Sequence, residues 1–330
     1  MPMTDNYTQR GARPDLAALI KISTLAQRGY AFTKLFPIAV MTEKGGTFSH
    51  APVGMTTAKG QKGRANGDSI TTTEKKSETA TWTPTRLEGR TIIYENEVKG
   101  LGGIESADQF GGEDCGRKAF NQAEQDAADA FFSSTRRSGA TELTDHQVVK
   151  KLQQAAIAVR KYGKPYLVMS SNAFLTFCEI PEIRVRSYAA LGGTGNLAFL
   201  ALEDQQLLAA LGRLMKFQGI ILFDSELVGT DYDGYVGVVG IREEAAPGGQ
   251  SAIMTAKSAA TYALSFFYQP DSASADQPFK VSSHDNRDDK VNVYDAEAEF
   301  TLKELHTAAV SMTKFAASYT EFTVPTTPAA

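Results

Sequence analysis

The residues that could do chemistry in this chain are few, and their spacing does not gather them. GGTGN, from Gly192, pairs glycines that could let backbone amides approach a phosphate. A dinucleotide fingerprint needs a third glycine on the following helix and a buried strand before it, and a triphosphate loop ends in Gly-Lys-Ser or Gly-Lys-Thr. The string meets neither condition and reads as a surface loop. From His284, HDNRDDKVNVYDAE has enough carboxylates, with one imidazole, to invite calcium. Its spacing fits no known loop, and Arg287 and Lys290 offset the acids, so it reads as a solvated turn. Asp231 and Asp233, beside Gly234, read as hairpin residues.

His50, His146, His284 and His306 fall in four different segments, so no pair has a helical i, i+4 ligand spacing, and each reads as structural or solvated. Cys115 and Cys178 are too few and too far apart for a disulfide framework or a zinc site of cysteine pairs. Cys178, flanked by LTF and EIP, reads as a buried thiol. No catalytic residue, metal ligand or cofactor is expected. An enzyme of this length would ordinarily place at least one such motif in its proper strand or helix context.

What stands out instead is a polar arm from Met41 to Val98. Its ends, TFSHAPVGM from Thr47 and TATWTPTRLEGRTIIYENEV from Thr79, alternate like strands, whereas TTAKGQKGRANGDSITTTEKKSE between them holds almost nothing that could enter a core. Connections beyond about 12–15 residues are uncommon in compact domains. Ordering such a segment costs about 1–2 kcal/mol of backbone entropy per residue, which its own side chains cannot offset and a neighbouring subunit could. Lys59, Lys62, Arg64, Lys75 and Lys76 make the arm mildly basic within an acidic chain, so they are the candidate subunit-interface residues, with an acidic helix face as the expected partner.

With 42% hydrophobic residues in 330, the chain can bury one large core or two smaller ones. A formal charge of −4 and a pI near 5.7 argue against a dedicated nucleic-acid reader, leaving at most non-specific contact. The first residues lack the apolar run of a signal peptide, and no stretch reaches the 18 or so apolar residues of a membrane span. The expectation is a soluble protein of a reducing compartment that meets no membrane. The sequon at Asn6 is given no role.

The elements follow from periodicity. Leu16, Leu19, Ile20 and Leu25 predict an N-terminal helical lead-in over Asp15 to Lys34. GLGGIESADQF is glycine-broken, and a helix then runs from Glu113 to Phe132 with Phe120, Ala123, Ala127, Ala130 and Phe131 on one face. A second helix carries Val148, Val149, Leu152, Ala155, Ala156 and Val159, with Thr144 and Gln147 as a capping box and Gly163 at its end. A strand at Tyr166 to Met169 leads into a helix capped by Ser170 or Ser171. A helical LEDQQLLAALGRL from Leu202 precedes FQGIILFD and YVGVVGI, two strands joined by the turn TDYDG. LSFFYQ, a polar turn-rich insert from Pro270 to Asp289, and VNVYDAEAEFTLKEL complete the body, and a proline-terminated tail follows Tyr319.

This order of elements resembles the major capsid proteins of tailed bacteriophages, whose shell fold is named for phage HK97. The most specific local likeness is QQAAIAVRKYGKPYLVMSSNAFLTF, similar to the family's helix, short strand and short helix. LGRLMKFQGIILFDSEL and NRDDKVNVYDAEAEFTLKEL resemble its axial and late strands. The resemblance implies an α+β fold with an N-terminal arm (1–40), an extended β-hairpin E-loop (41–98) and a peripheral domain with a spine helix at about Ser106 to Arg137 (99–140). An axial domain (141–263) and C-terminal peripheral strands with a tail (264–330) would complete it. It implies a non-enzymatic head protein that assembles with itself as pentamers and hexamers into an icosahedral shell around the genome. Scaffolding, portal and decoration proteins would be its further partners, the virion capsid its location and the host cytoplasm its place of assembly. Some relatives crosslink an E-loop lysine to a neighbour's asparagine, but no spacing here selects such a lysine. The alternatives are an encapsulin-like nanocompartment shell and a cytosolic α/β enzyme with a long lid or oligomerisation hairpin.

Overall fold

A computed structural model describes residues 8–17, 29–53, 77–190, 212, 217–242, 253–254, 256–257, 260–269, 279–286 and 290–320. Its first sheet is built around one long strand, β12 (Val291–Glu304). β5 (Thr85–Tyr94) runs antiparallel along one edge of it, from Thr85 opposite Phe300 to Tyr94 opposite Val291. Along the other edge, β11 (Lys280–Asn286) pairs with the first half of β12 and β10 (Ala263–Tyr268) with the second, both antiparallel. β2 (Ile38–Met41) extends the sheet parallel to β10, and β1 (Thr8–Ala12) extends it beside β11. β11 lies inside the segment expected to be a polar turn. Its sequence, KVSSHDN, is too polar to announce a strand, and pairing on both sides, with β1 and β12, stabilises it.

Against this sheet lies α4 (Ile104–Phe131), about 42 Å long at 1.5 Å per residue. It is the expected spine helix with different ends. It begins before the predicted glycine break, running straight through Gly111 and Gly112, and stops before Arg137, which belongs to a separate short helix, α5 (Ser134–Ser138). Two helical glycines cost about 1 kcal/mol each relative to alanine, and here close packing compensates. The buried face of α4 is made of small residues, Ala107, Gly111, Gly112, Cys115, Gly116, Ala119 and Ala123, so the sheet can approach its backbone. A Cβ on Gly111 would lie 2.4 Å from Cδ2 of the fully buried Tyr294 of β12. Between β5 and α4, α3 (Glu95–Gly100) makes the turn, with Glu97 accepting from the N–H of Tyr94 at 3.0 Å.

Of the N-terminal lead-in, two short helices are described, α1 (Pro14–Ala17) and α2 (Ala31–Leu35). α2 has no cap of its own. The buried Glu124 of α4 accepts from the N–H groups of Ala31 and Phe32 at 2.9 and 2.8 Å, satisfying two of the donors that a helix start leaves unpaired. Phe32, Phe36, Phe131, Phe132, Tyr262, Phe267 and Phe300 belong to one buried core that α4 shares with the first sheet and the rest of the body.

The second sheet has the order β6 (Thr141–Leu143), β13 (Val310–Phe315), β9 (Tyr235–Ile241), β7 (Lys164–Ser170) and β8 (Gly219–Phe223). The hairpin expected of β8 and β9 is not formed. β7, whose Leu167 to Ser170 are buried, lies between them, parallel to β8 and antiparallel to β9. The connection carries a helical turn, α9 (Ser225–Val228), capped by Asp224, and is too long for a two-residue turn. α6 (Val148–Val159), α7 (Ser171–Glu179) and α8 (Pro181–Ala190) cover this sheet. α6 buries the predicted stripe, Val148, Val149, Leu152, Ala155, Ala156 and Val159. The predicted Thr144–Gln147 capping box is absent. The buried Glu182 of α8 takes the Val148 N–H instead, at 2.7 Å. Ser170 does cap α7, accepting from Ala173 at 3.1 Å. Gly163 lies beyond the end of α6 and serves a close approach, since a Cβ there would sit 2.3 Å from the Ile241 carbonyl. No helix among the described residues is long and apolar enough to cross a membrane.

Candidate subunit interface

The arm leaves the body on a two-stranded stem, β3 (Gly46–His50) and β4 (Glu78–Trp82), paired from Gly46 opposite Trp82 to His50 opposite Glu78. The turn into it is made at Gly45, with φ of 87°. The stem is bound to the body by a cluster of its own. The Trp82 indole stacks on Phe266 of β10 at 5.3 Å between centroids, Phe48 meets the same ring edge-on at 5.7 Å, and Ala39, Leu264 and Ala256 complete the contact. Lys44 pairs with Glu299 at 2.6 Å, and the Ala51 N–H donates to the Ala256 carbonyl at 2.8 Å. Burying two aromatic side chains at 4% and 2% exposure contributes roughly 1.5–3 kcal/mol each, so the stem is part of the body.

The five basic residues predicted for the interface, Lys59, Lys62, Arg64, Lys75 and Lys76, lie on the arm outside the described residues. Their expected partner, the acidic face of α4, is largely committed within the subunit. Asp108 accepts from Arg13 at 3.0 Å and from the Tyr294 hydroxyl at 2.5 Å. Asp114 is buried. Burial raises its carboxyl, but hydrogen bonds from Lys118, Thr91 and Arg117 outweigh that and hold it below the usual range. Glu124 caps α2, and Asp129 accepts the Tyr232 hydroxyl. Glu105 and Glu113 remain exposed on that helix.

The outward face of β5 offers a second surface. Arg86, Glu88 and Arg90 point out, Arg86 paired with Glu88 and with Glu297 of β12 and Arg90 with Asp295 of β12, and Ile92 and Tyr94 continue the row about half exposed. Among the described residues β5 pairs on one edge alone, with the charges that natural edge strands carry against indiscriminate pairing.

The residues weighed for chemistry resolve differently. Gly192 to Asn196 and the centre of the His284 string lie outside the described residues. Asp233 is no hairpin residue. It accepts from Ser170 Oγ at 2.5 Å and Asn172 Nδ2 at 3.0 Å, tying the β9 entrance to the start of α7. The Asp231 carbonyl accepts from Arg137 at 3.5 Å. The Cys115 thiol is pushed up to about 12, above all by burial, and is inert as a nucleophile at neutral pH. Cys178 is half-buried rather than buried. His50 and His306, read as separate, lie together with ring centroids 5.1 Å apart. No sequence spacing could reveal that pairing, because it depends on where β12 ends against the stem.

A spine helix across a long-stranded sheet, a second helix-covered sheet and a stemmed arm together make the HK97-type capsid fold, an α+β architecture. Many solved structures are similar to this chain, among them two that match over most of its length. A phage-related protein from Bordetella bronchiseptica RB50 matches at a TM-score of 0.57 with 13% identity, covering 93% of this chain and 98% of that one. A capsid structure of the cyanophage P-SCSP1u matches at 0.50 with 10% identity, covering 87% and 88%. No family model matches the sequence, and no curated protein does.

Proposed function

We propose that the chain is the major capsid protein of a tailed double-stranded DNA phage, a non-enzymatic subunit that closes into an icosahedral shell around the genome. The observation that carries this reading is the near end-to-end structural match to the phage-related protein, which extends over 93% of the chain. In the proposed division, the E-loop expected over Met41 to Val98 narrows to the β3–β4 stem and the segment it carries, because β5 belongs with α4 and the first sheet to the peripheral domain, and α6 to β9 form the axial domain. β13 departs from the expected boundaries, since it returns from the peripheral segment to close the second sheet between β6 and β9.

A closed shell uses heterologous contacts whose rotation closes, so each subunit offers surfaces that its neighbours complete. The arm beyond its stem and the outer face of β5 are the surfaces proposed for this. Contacts of about 800 Å² per partner, repeated around a subunit, permit a stable shell without strong pairwise affinity. A net charge of −4 suits an inner face that meets DNA without holding it. Scaffolding, portal and decoration proteins are the expected partners, and assembly would take place in the host cytoplasm.

The test is size-exclusion chromatography with light scattering on the purified chain, followed by electron microscopy of the void fraction. Shells, or rings of five and six subunits, are expected. A stable monomer or dimer that no scaffold converts to shells would overturn the reading.

A further inference from the structure

At the root of the arm, three side chains with metal-ligating atoms converge from different parts of the chain. His50 ends β3, Glu78 begins β4 directly opposite it in the hairpin register, and His306 follows β12. One nitrogen or carboxylate oxygen from each lies within 4.8 Å of the others. His50 is 4% exposed and His306 is 9%, whereas Glu78 reaches solvent. Nδ1 of His50 is buried with no hydrogen-bond partner among the described residues, a state that buried polar atoms rarely keep. Nε2 of His306 lies 3.1 Å from the Ala51 carbonyl. A carbonyl only accepts, so in neutral His306 Nε2 carries the proton and Nδ1 keeps the lone pair. A backbone carbonyl orienting an imidazole in this way is the usual outer-shell arrangement of metal-bound histidines.

We propose that His50, Glu78 and His306 form a binding site for a divalent transition metal, zinc by ligand type, that clips the stem of the arm to the end of β12. Two imidazoles and a carboxylate suit zinc rather than calcium or magnesium, which take oxygen ligands. Three protein ligands leave a fourth position for water on the Glu78 side. Tetrahedral bonds of about 2.0–2.1 Å put ligand atoms about 3.4 Å apart, so the three must draw together, which the exposed Glu78 can do by rotation. Metal would fix the angle at which the arm leaves the body by joining its two strands to a third element.

The site is a property of the folded subunit, and its test is independent of assembly. The untagged full chain, stripped with chelator, is titrated with zinc by calorimetry and with cobalt(II) by visible absorption. One metal per chain is expected, with the absorption of tetrahedral cobalt. Glu78→Gln, at an exposed position, should weaken binding by at least about ten-fold with an unchanged circular dichroism spectrum, and His50→Gln should abolish it. Absence of saturable binding overturns the proposal, as does binding that Glu78→Gln leaves unaltered. Should His50→Gln fail to fold, Glu78→Gln and the cobalt spectrum of the natural chain still decide.

Discussion

Gly89 of β5 lies so close to Cys115 of α4 that a Cβ on the glycine would stand 1.9 Å from the cysteine carbonyl oxygen and 2.7 Å from the Ala119 nitrogen. Both obstacles are backbone, so neither can swing aside. Helix and strand are in contact along their main chains, and the small residues of the helix face exist to allow it. Gly89→Ala must push β5 off the helix and is expected to cost about 3 kcal/mol, at the upper end of overpacking effects. Urea unfolding of the isolated subunit measures this, and a loss under 0.5 kcal/mol, roughly the scale of an ordinary surface change, would show that the two elements are not so tightly docked.

Glu124 predicts a pH dependence. Burial raises its carboxyl from 4.5 to about 7, against the two N–H groups of Phe32 and Ala31 that favour the charged form. A folded-state value above the unfolded one means that the folded chain binds the proton more tightly. The resulting stability is full below pH 4.5 and is lost as pH rises through 7, by about 3 kcal/mol at one proton and 1.36 kcal/mol per unit. Glu124→Gln should flatten this slope between pH 5 and 8. It should also lower stability at pH 5 by about 1–3 kcal/mol, because there the carboxyl is protonated and its hydroxyl oxygen can still accept, whereas an amide nitrogen cannot. Urea midpoints of the two proteins across that range check both statements, and parallel curves would dismiss Glu124 as the source.

Arg136 joins the end of the spine helix to the first sheet. Its guanidinium donates to both oxygens of Glu304 at 2.7 and 2.8 Å and to the Ala130 and Phe131 carbonyls at 3.0 Å. The Tyr262 hydroxyl completes the group by donating to Glu304 at 2.7 Å. Arg136→Lys cannot reproduce a planar fork. It should destabilise the subunit by about 1.5–3 kcal/mol, the range for losing a hydrogen bond to a charged group in this part-buried pair. A melting temperature within one degree of the natural protein's would refute that role.

The chain's single tryptophan, Trp82, is in the arm stem, so its fluorescence reports on the arm alone. Phe266→Ala should cost about 3–5 kcal/mol and shift the emission to longer wavelength as the indole meets water. An unshifted spectrum would mean that the stem stands without Phe266.

Deleting Thr57 to Lys76 should leave a folded subunit that cannot close a shell. Circular dichroism and thermal melting examine the fold, and electron microscopy the assembly. Outright unfolding would make the arm part of the core, and normal shells would remove it from the interface.

The periodic parts of the chain were legible without a structure because their signal is local. The α6 stripe from Val148 to Val159, the buried strand at Tyr166 to Met169, the Ser170 cap and the alternation of β12 each follow from side chains a few positions apart. The two strands at the root of the polar arm were legible for the same reason, from the alternation around TFSH and TATW. Tertiary structure decided what depends on distant partners. Gly111 and Gly112 read as a helix break until Tyr294 and Leu16, both remote in sequence, occupy the space they leave. Thr144 and Gln147 have the local form of a cap, but Glu182 reaches the Val148 N–H and takes the role. β8 and β9 look like neighbours until β7 passes between them, and His50 meets His306 solely because a strand ends where the stem begins. Local spacing sets what a segment can become, and close packing between remote segments selects among those options, since backbone contact and buried hydrogen bonds depend on position in space rather than in sequence.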